Sequence, residues 1–216
     1  MSATKASAAA SQPAQFDFAC VLDFEAVCED GVRLFPQEII EFPTVLYDIA
    51  NRRIVDEFHT YVKPQVHTRL TPFCTDLTGI TQETVDHGRL FEDVVASHLD
   101  WLRSHGLDPQ NPSAPGHRFV YVTCGDWDLK SCLPPLLTYF KLASPPCFAQ
   151  WINIKKAFQA KYGVHPKGMT DMLRHLHLHL VGRHHSGIDD ARNIAAILDA
   201  MLAGGYSPEL TWRPRA

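Results

Sequence analysis

The sequence predicts a mixed α/β domain. Three observations carry this reading: a nearly continuous apolar run at Phe18 to Leu22, two further runs rich in β-branched and aromatic residues, and later segments whose apolar residues recur at three and four. With 216 residues, 45% hydrophobic and 20% charged, the chain has the balance of one domain with a single core. The domain is expected over residues 16–206, between a disordered tail at 1–15 and a C-terminal tail at 207–216.

The first run reads as a strand buried on both faces, and Asp23 and Glu25 follow at its carboxyl end. Glu38 to Ile49 and Ile54 to Val62 read as two strands of a hairpin, since the turn former Asn51 separates them and Pro64 ends the second. Thr71 to Ile80, with its Pro, Gly and Thr residues, reads as a loop, with a short helix after Thr81. Phe91, Val94, Val95, Leu99 and Leu102 then mark a helix that stops near Gly106, and the Pro-, Asn- and Ser-dense stretch from Asp108 to Gly116 is an exposed connection. Phe119 to Val122 is another buried strand, after which Asp126-Trp127-Asp128 opens a helical turn that must break or restart at Pro134 and Pro135. Ile152 to Tyr162 and Met169 to Leu176 read as two short helices, and Ile188, Ala191, Ala195, Leu198 and Leu202 as a last one closed by Gly204-Gly205.

Composition narrows the function. The longest apolar stretches are broken by Asp, Glu or Pro well short of the roughly 20 residues that cross a bilayer, so a soluble protein is expected, with no membrane partner. The first 15 residues lack both the apolar centre of a secretory signal and the arginines of a mitochondrial transit peptide. Six cysteines without a C-x-x-C pair suit reduced thiols and an intracellular home, cytoplasmic or nuclear. A formal charge of −4 argues against a protein that coats long nucleic acids, but not against one that grips a chain end through bound cations.

Asp23 and Glu25 lie two apart on a strand, so both side chains leave one face, where two carboxylates repel unless a cation lies between them. Asp128 falls just after the next buried strand, and the carboxyl ends of strands in open α/β sheets are where ligands gather; taken alone it could equally be a helix N-terminal acid. His185 precedes the final helix, and Asp189 and Asp190 compete for a place in its first turn facing the same site, because helical geometry turns neighbours about 100° apart.

The segments VLDFEAVCED, PQEIIEFP, TPFCTDLTGIT, VTCGDWDLK, QWINIKKAF and GRHHSGIDDARNIA resemble the Eri-1-like (histone-mRNA 3′-end exonuclease) branch of the DEDDh exonucleases, from about Phe16 to about Tyr206. The resemblance implies an RNase H-like mixed central sheet of about five strands, one antiparallel, flanked by helices. It implies that Asp23, Glu25, Asp128 and Asp190 are four metal ligands and His185 the general base, through the H-x-x-x-x-D spacing that selects Asp190 over Asp189. It also implies that Phe24, Phe73, Leu77, Thr78, Gly79 and Trp127 line the pocket for terminal nucleotides. Hard carboxylate oxygens favour two Mg2+ ions, with Mn2+ able to substitute. The expected activity is 3′–5′ exoribonuclease, releasing nucleoside 5′-monophosphates from a single-stranded or shortly overhanging RNA 3′ end. Selection of particular RNAs would fall to the pocket or to protein partners. A DNA-directed exonuclease and a catalytically silent RNA-end-binding scaffold are the rival functions.

Other signals are set aside. His175, His177, His179, His184 and His185 suggest zinc, but the first three run from helix into turn with no Cys close by. Trp101, Trp151 and Phe158 are expected in the core rather than against bases. Glu38 and Glu41 differ in strand parity, so they cannot ligate jointly; Lys130 and Arg183 could meet phosphates or surface acids.

Overall fold

A computed structural model describes residues 15–214. Its centre is a six-stranded mixed sheet: β1 (Phe18–Leu22), β2 (Glu25–Ala26), β3 (Ile39–Asp48), β4 (Arg53–Tyr61), β5 (Phe119–Thr123) and β6 (Trp151–Asn153). β5 lies parallel to β1 and β6 parallel to β5, while β3 is antiparallel to β1, β2 and β4. One strand, β3, therefore runs against all the others. β2 resumes the path of β1 along the same partner after a gap of two residues, Asp23 and Phe24, so about five strand positions carry six strands.

The apolar run of β1 is unbroken because both faces of the sheet are covered. Cys20 and Leu22 join Phe42, Leu46 and Tyr121 beneath α3 (Phe91–Ser104) and α4 (Leu133–Tyr139), whereas Ala19 and Val21 join Val45 and Val122 beneath α5 (Ile154–Tyr162), α6 (Met169–His175) and α7 (Gly187–Ala203). The hairpin between β3 and β4 closes where the Asp48 carboxylate accepts hydrogen bonds from the backbone and side chain of Asn51. Trp151 and Phe158 are core residues, and Trp101 packs at the edge of the core. No described helix is long and apolar enough to cross a membrane.

Two elements differ from the sequence reading. Thr71 to Ile80 is not a loop, since Pro72–Thr78 forms α1; the short helix expected after Thr81 follows it as α2 (Gln82–Asp86). The residues that suggested a loop are its caps, since the Thr71 side chain accepts from Cys74 N, Pro72 lacks the N–H that a first turn leaves unpaired, and Gly79 closes the helix with φ of 76°. Likewise Trp151–Asn153 is an edge strand and α5 begins only at Ile154, because the Asn153 side chain caps it by accepting from Lys155 N. Downstream of Asp126 a π-helical segment, Trp127–Cys132, runs into α4, which restarts with prolines in its first turn as expected.

His98 on α3 is fully enclosed among Phe42, Phe58 and Phe148, with Nε2 2.8 Å from the Tyr121 hydroxyl. Burial pushes its pKa down to about 3. A histidine depressed in the folded state binds fewer protons than in the unfolded chain, so stability is present above the unfolded value near 6.5 and lost as pH falls below it. Urea unfolding should show the wild type losing about 2 kcal/mol more than His98→Gln between pH 8 and pH 5. Parallel losses in both proteins would remove His98 as the cause.

Candidate active site

The gap between β1 and β2 places Asp23 and Glu25 at the carboxyl end of the central strand pair. Asp128, at the start of the π-helical segment, is buried, and its Oδ1 accepts a 3.0 Å hydrogen bond from the Phe24 N–H, the peptide between the two acids. The backbone donor thus ties the end of β5 to the end of β1. Asp126 points away: it accepts from Trp151 Nε1, Asn153 Nδ2 and Lys156 Nζ, anchoring the turn to β6.

The fourth acid arrives on α7. Ligand-type atoms of Asp23, Glu25 and Asp190 lie within 4.8 Å of one another. Asp190 rather than Asp189 reaches this cluster, because Asp189 faces outward to accept from Arg183 N and Arg192. The first turn of α7 abuts β1 so closely that a Cβ on Gly187 would sit 2.6 Å from the Asp23 carbonyl oxygen; only glycine fits. His185 takes φ of 64° in the preceding turn and donates its N–H to Asp190 Oδ2 at 2.9 Å, so base candidate and acid are fixed together. Its ring stacks on His184 with centroids 3.9 Å apart. His175 instead packs against Phe158 and Tyr162, and among the described residues the histidines at 175, 177 and 179 join no metal-ligating group.

Glu41 is the residue that sequence reasoning left out of the site. It pairs with Glu25 across β2 and β3, is 1% exposed, and accepts hydrogen bonds from Gly187 N, Ile188 N and, through a 2.8 Å contact, His59 Nε2. A carboxylate here satisfies the free N–H groups that open α7 and lies favourably at the positive end of the helix. The signal was present: Glu41 is the sole acid within the apolar stretch from Ile39 to Leu46, and a charge there requires partners. Glu38 faces elsewhere, accepting from the backbone of Gln65, Val66 and His67.

Crowding of acids sets the electrostatics. Burial, then the charges of Glu41, Asp190 and Asp128, lift the Glu25 pKa to about 9; Asp23 is raised well above the carboxylate range by burial and the same neighbours. Asp128 and Asp190 are each raised to about 6, chiefly by burial. His185 is lowered by burial and by the nearby His184 and Arg183. Asp190 Oδ1 is buried and has no hydrogen-bond partner among the described residues. An all-oxygen donor set that repels itself and holds an unpaired buried lone pair fits hard divalent cations.

On the flank, Phe73 and Trp127 are 37% and 39% exposed. Leu77 is half-buried, and the Thr78 hydroxyl is turned inward to Cys74 O and Ile80 N. Gly79 lies beneath the Arg183 guanidinium, where a Cβ would meet Nη1 at 2.2 Å, and that guanidinium also donates to Asp76 O. The Phe24 ring packs edge-on against Phe42 in the core, so this residue presents its backbone to the site. Lys130 lies over the Trp212 ring at 4.4 Å, and Trp212 stacks on Trp151.

A mixed sheet with one reversed strand, acids converging at strand ends and a helix delivering the last of them is the RNase H-like arrangement of the DEDDh nucleases. The chain belongs to the exonuclease family, whose model matches residues 20–198. It is 44% identical over 204 residues to ERI1 exoribonuclease 3 of Homo sapiens, covering 94% of this chain and 58% of that protein. It is 38% identical over 194 residues to 3′-5′ exoribonuclease 1 of Homo sapiens, covering 88% of this chain and 54% of the relative. The chain therefore spans little more than half the length of these relatives. The nuclease domain of 3′hExo, a DEDDh family member bound to rAMP, superposes with a TM-score of 0.85 at 36% identity, over 92% of this chain and 98% of that one. A 3′-exonuclease in 3′-end-specific recognition of a histone mRNA stem-loop superposes with a TM-score of 0.87 at 35% identity, over 94% and 89%. DEDDh exonucleases are divalent-metal dependent.

A carboxylate whose folded pKa lies above its unfolded value destabilises the fold at neutral pH, and the penalty disappears in acid. Glu25→Gln should therefore raise stability by about 2 kcal/mol at pH 7.5 in a chelator, measured by urea unfolding. A destabilised variant would mean that the acids are not strained. Glu41→Ala should do the opposite, costing about 2 to 3 kcal/mol by leaving buried N–H groups unpaired, and Glu41→Gln should recover part of it. Unchanged melting of Glu41→Ala would exclude this anchoring.

Proposed function

We propose that the chain is a metal-dependent 3′–5′ exoribonuclease that removes nucleoside 5′-monophosphates from RNA 3′ ends. Asp23, Glu25, Asp128 and Asp190 would hold two divalent ions, Mg2+ with Mn2+ able to substitute, and His185 would act as general base. The observation that carries this reading is the meeting of Asp23, Glu25 and Asp190 within 4.8 Å, with Asp128 tethered between the first two and His185 tied to the last. The names of the relatives support the reaction, and the titles of the two structures support an RNA 3′ end as substrate.

When bound, two divalent ions supply positive charge to the phosphodiester, activate the attacking water and stabilise the leaving 3′ oxygen. The protein's part follows from its own side chains. His185, held below the ordinary imidazole value, is neutral at pH 7, so a free ring nitrogen accepts the proton of the attacking water. The bond from the His185 backbone N–H to Asp190 holds the turn that carries this ring next to the acids. Exposed Phe73 and Trp127 offer faces on which terminal bases stack, a contact that tolerates any base. Arg183, bridging α1 to the turn before α7, fixes the two walls of the cleft relative to each other. All six cysteines are free, which suits a reducing cytoplasm or nucleus. Protein partners, or the pocket itself, would select the RNA.

Release of nucleotides from 5′-labelled RNA in Mg2+, resolved by length, tests the proposal. Wild type should shorten the RNA stepwise from the 3′ end; Asp190→Ala should lose at least about a thousandfold and His185→Ala about a hundredfold or more. A wild type as inert as both variants would leave a binding scaffold as the answer. A DNA oligonucleotide of the same sequence cut faster than RNA would assign the activity to DNA, because the 2′ hydroxyl is what separates the two.

A further inference from the structure

We infer that His184, His185 and Asp190 form a second cation site, one that takes a borderline transition metal such as Zn2+ and inhibits the enzyme. Ligand-type atoms of these three residues lie within 4.8 Å of one another, forming one of two such groups among the described residues. The two groups share Asp190 but differ in chemistry: the first is all carboxylate, the second is two imidazoles and a carboxylate. Hard Mg2+ prefers the first, whereas zinc, nickel and copper gain most from imidazole nitrogen. Two histidines with one carboxylate is a donor set that zinc accepts in a tetrahedral site, leaving its fourth position for water.

The geometry favours capture from solvent. The His184 side chain is 43% exposed, its Nε2 lies 3.9 Å from Asp190 Oδ2, and its ring makes no hydrogen bond among the described residues. Asp190 is only 3% exposed, yet its Oδ1 is unpaired. Tetrahedral zinc requires its donors about 3.3 Å apart, so His184 must swing out of its stack on His185; it is the solvent-facing member of the pair and can do so. The His185 backbone is held in place by its own N–H bond to Asp190 and by the bond from Ser186 N to Arg183 O, so its ring stays anchored at the Asp190 side of the group.

Inhibition rests on the proposed function, while binding does not. An ion on the His185 nitrogen occupies the lone pair that would accept the water's proton, and the same ion draws the Asp190 carboxylate away from the other acids. His184 touches that reaction only through its stack on His185, so the effect of zinc in each variant is read as a fraction of that variant's own zinc-free, magnesium-supported rate.

The test uses the full chain without an affinity tag, stripped of metal, as wild type, His184→Gln and His184→Asn. Zn2+ is titrated against a fluorescent zinc chelator, and separately into RNA digestion in excess Mg2+. Both variants should bind Zn2+ at least about tenfold more weakly than wild type. The Zn2+ concentration that halves each protein's own zinc-free rate should rise by the same factor. Equal zinc affinity in all three proteins would overturn the site, placing the ion among the carboxylates or thiols instead. Weakened binding with unaltered inhibition would overturn the inhibitory role. If no protein digests RNA while the affinity difference holds, the cation site stands and the proposed function falls.

Discussion

Burial of several acids in one place is the constraint around which this end of the molecule is built. Asp23 and Glu25 come from the junction of β1 and β2, Glu41 from β3, Asp128 from the π-helical segment and Asp190 from α7, and burial lifts the pKa values of Asp23, Glu25, Asp128 and Asp190. Left to themselves such groups would separate or stay protonated. The fold opposes this with peptide N–H groups aimed at carboxylates: Phe24 to Asp128, His185 to Asp190, and Gly187 with Ile188 to Glu41. Each of these bonds joins segments whose relative position fixes the site. The same contacts that compensate the charge therefore assemble the elements.

The arrangement divides labour between adjacent residues. Asp189 and Asp190 are neighbours in sequence, yet one anchors the Arg183 turn and Arg192 while the other turns inward. Asp126 and Asp128 divide similarly, the first held by Trp151, Asn153 and Lys156, the second by Phe24. The anchoring of Asp126 extends to the chain's last described segment, since Trp212 pairs with and stacks on Trp151 and shields the β6 edge. Lys130 caps that stack through a cation–π contact. In each pair the outward acid is neutralised by fixed cations or donors, which leaves the inward one as the proposed metal ligand.

Much of this was legible in the sequence where a single element determined the outcome. The run Phe18 to Leu22 predicted a strand covered on both faces, and the two cores on either side of β1 are its physical basis. The hairpin was legible from Asn51; Asp23 and Glu25 do lie close together, although Asp23 falls in the break between β1 and β2 and not on a continuous strand. What failed was local chemistry with two readings. Thr71, Pro72 and Gly79 punctuate a loop and cap a seven-residue helix equally well, and only the packing of Cys74 and Ile80 against Val27 and Ile40 decides between them. Trp151–Asn153 is too short to carry a period of two, so the strand was absorbed into the helix that follows. Glu41 was illegible as part of the site because its register opposite Glu25 and its contact with α7 are tertiary facts, although its burial in an apolar strand was not.

The acids also resolve an apparent conflict between the chain's charge and its proposed substrate. A formal charge of −4 and a cleft lined by carboxylates should repel a polyanion. Near the cleft the fixed cations are largely engaged: Arg183 on a carbonyl, Arg192 on Glu57 and Asp189, and Lys156 on Asp126. On the proposed function, attraction for a phosphodiester would come from ions that the acids themselves recruit. Such a site is electropositive only when loaded, so recognition of the chain end and readiness for chemistry depend on one event. A broad basic surface would hold nucleic acid anywhere along its length; positive charge confined to a pocket between β1, β5 and α7 holds it only where a terminus can enter.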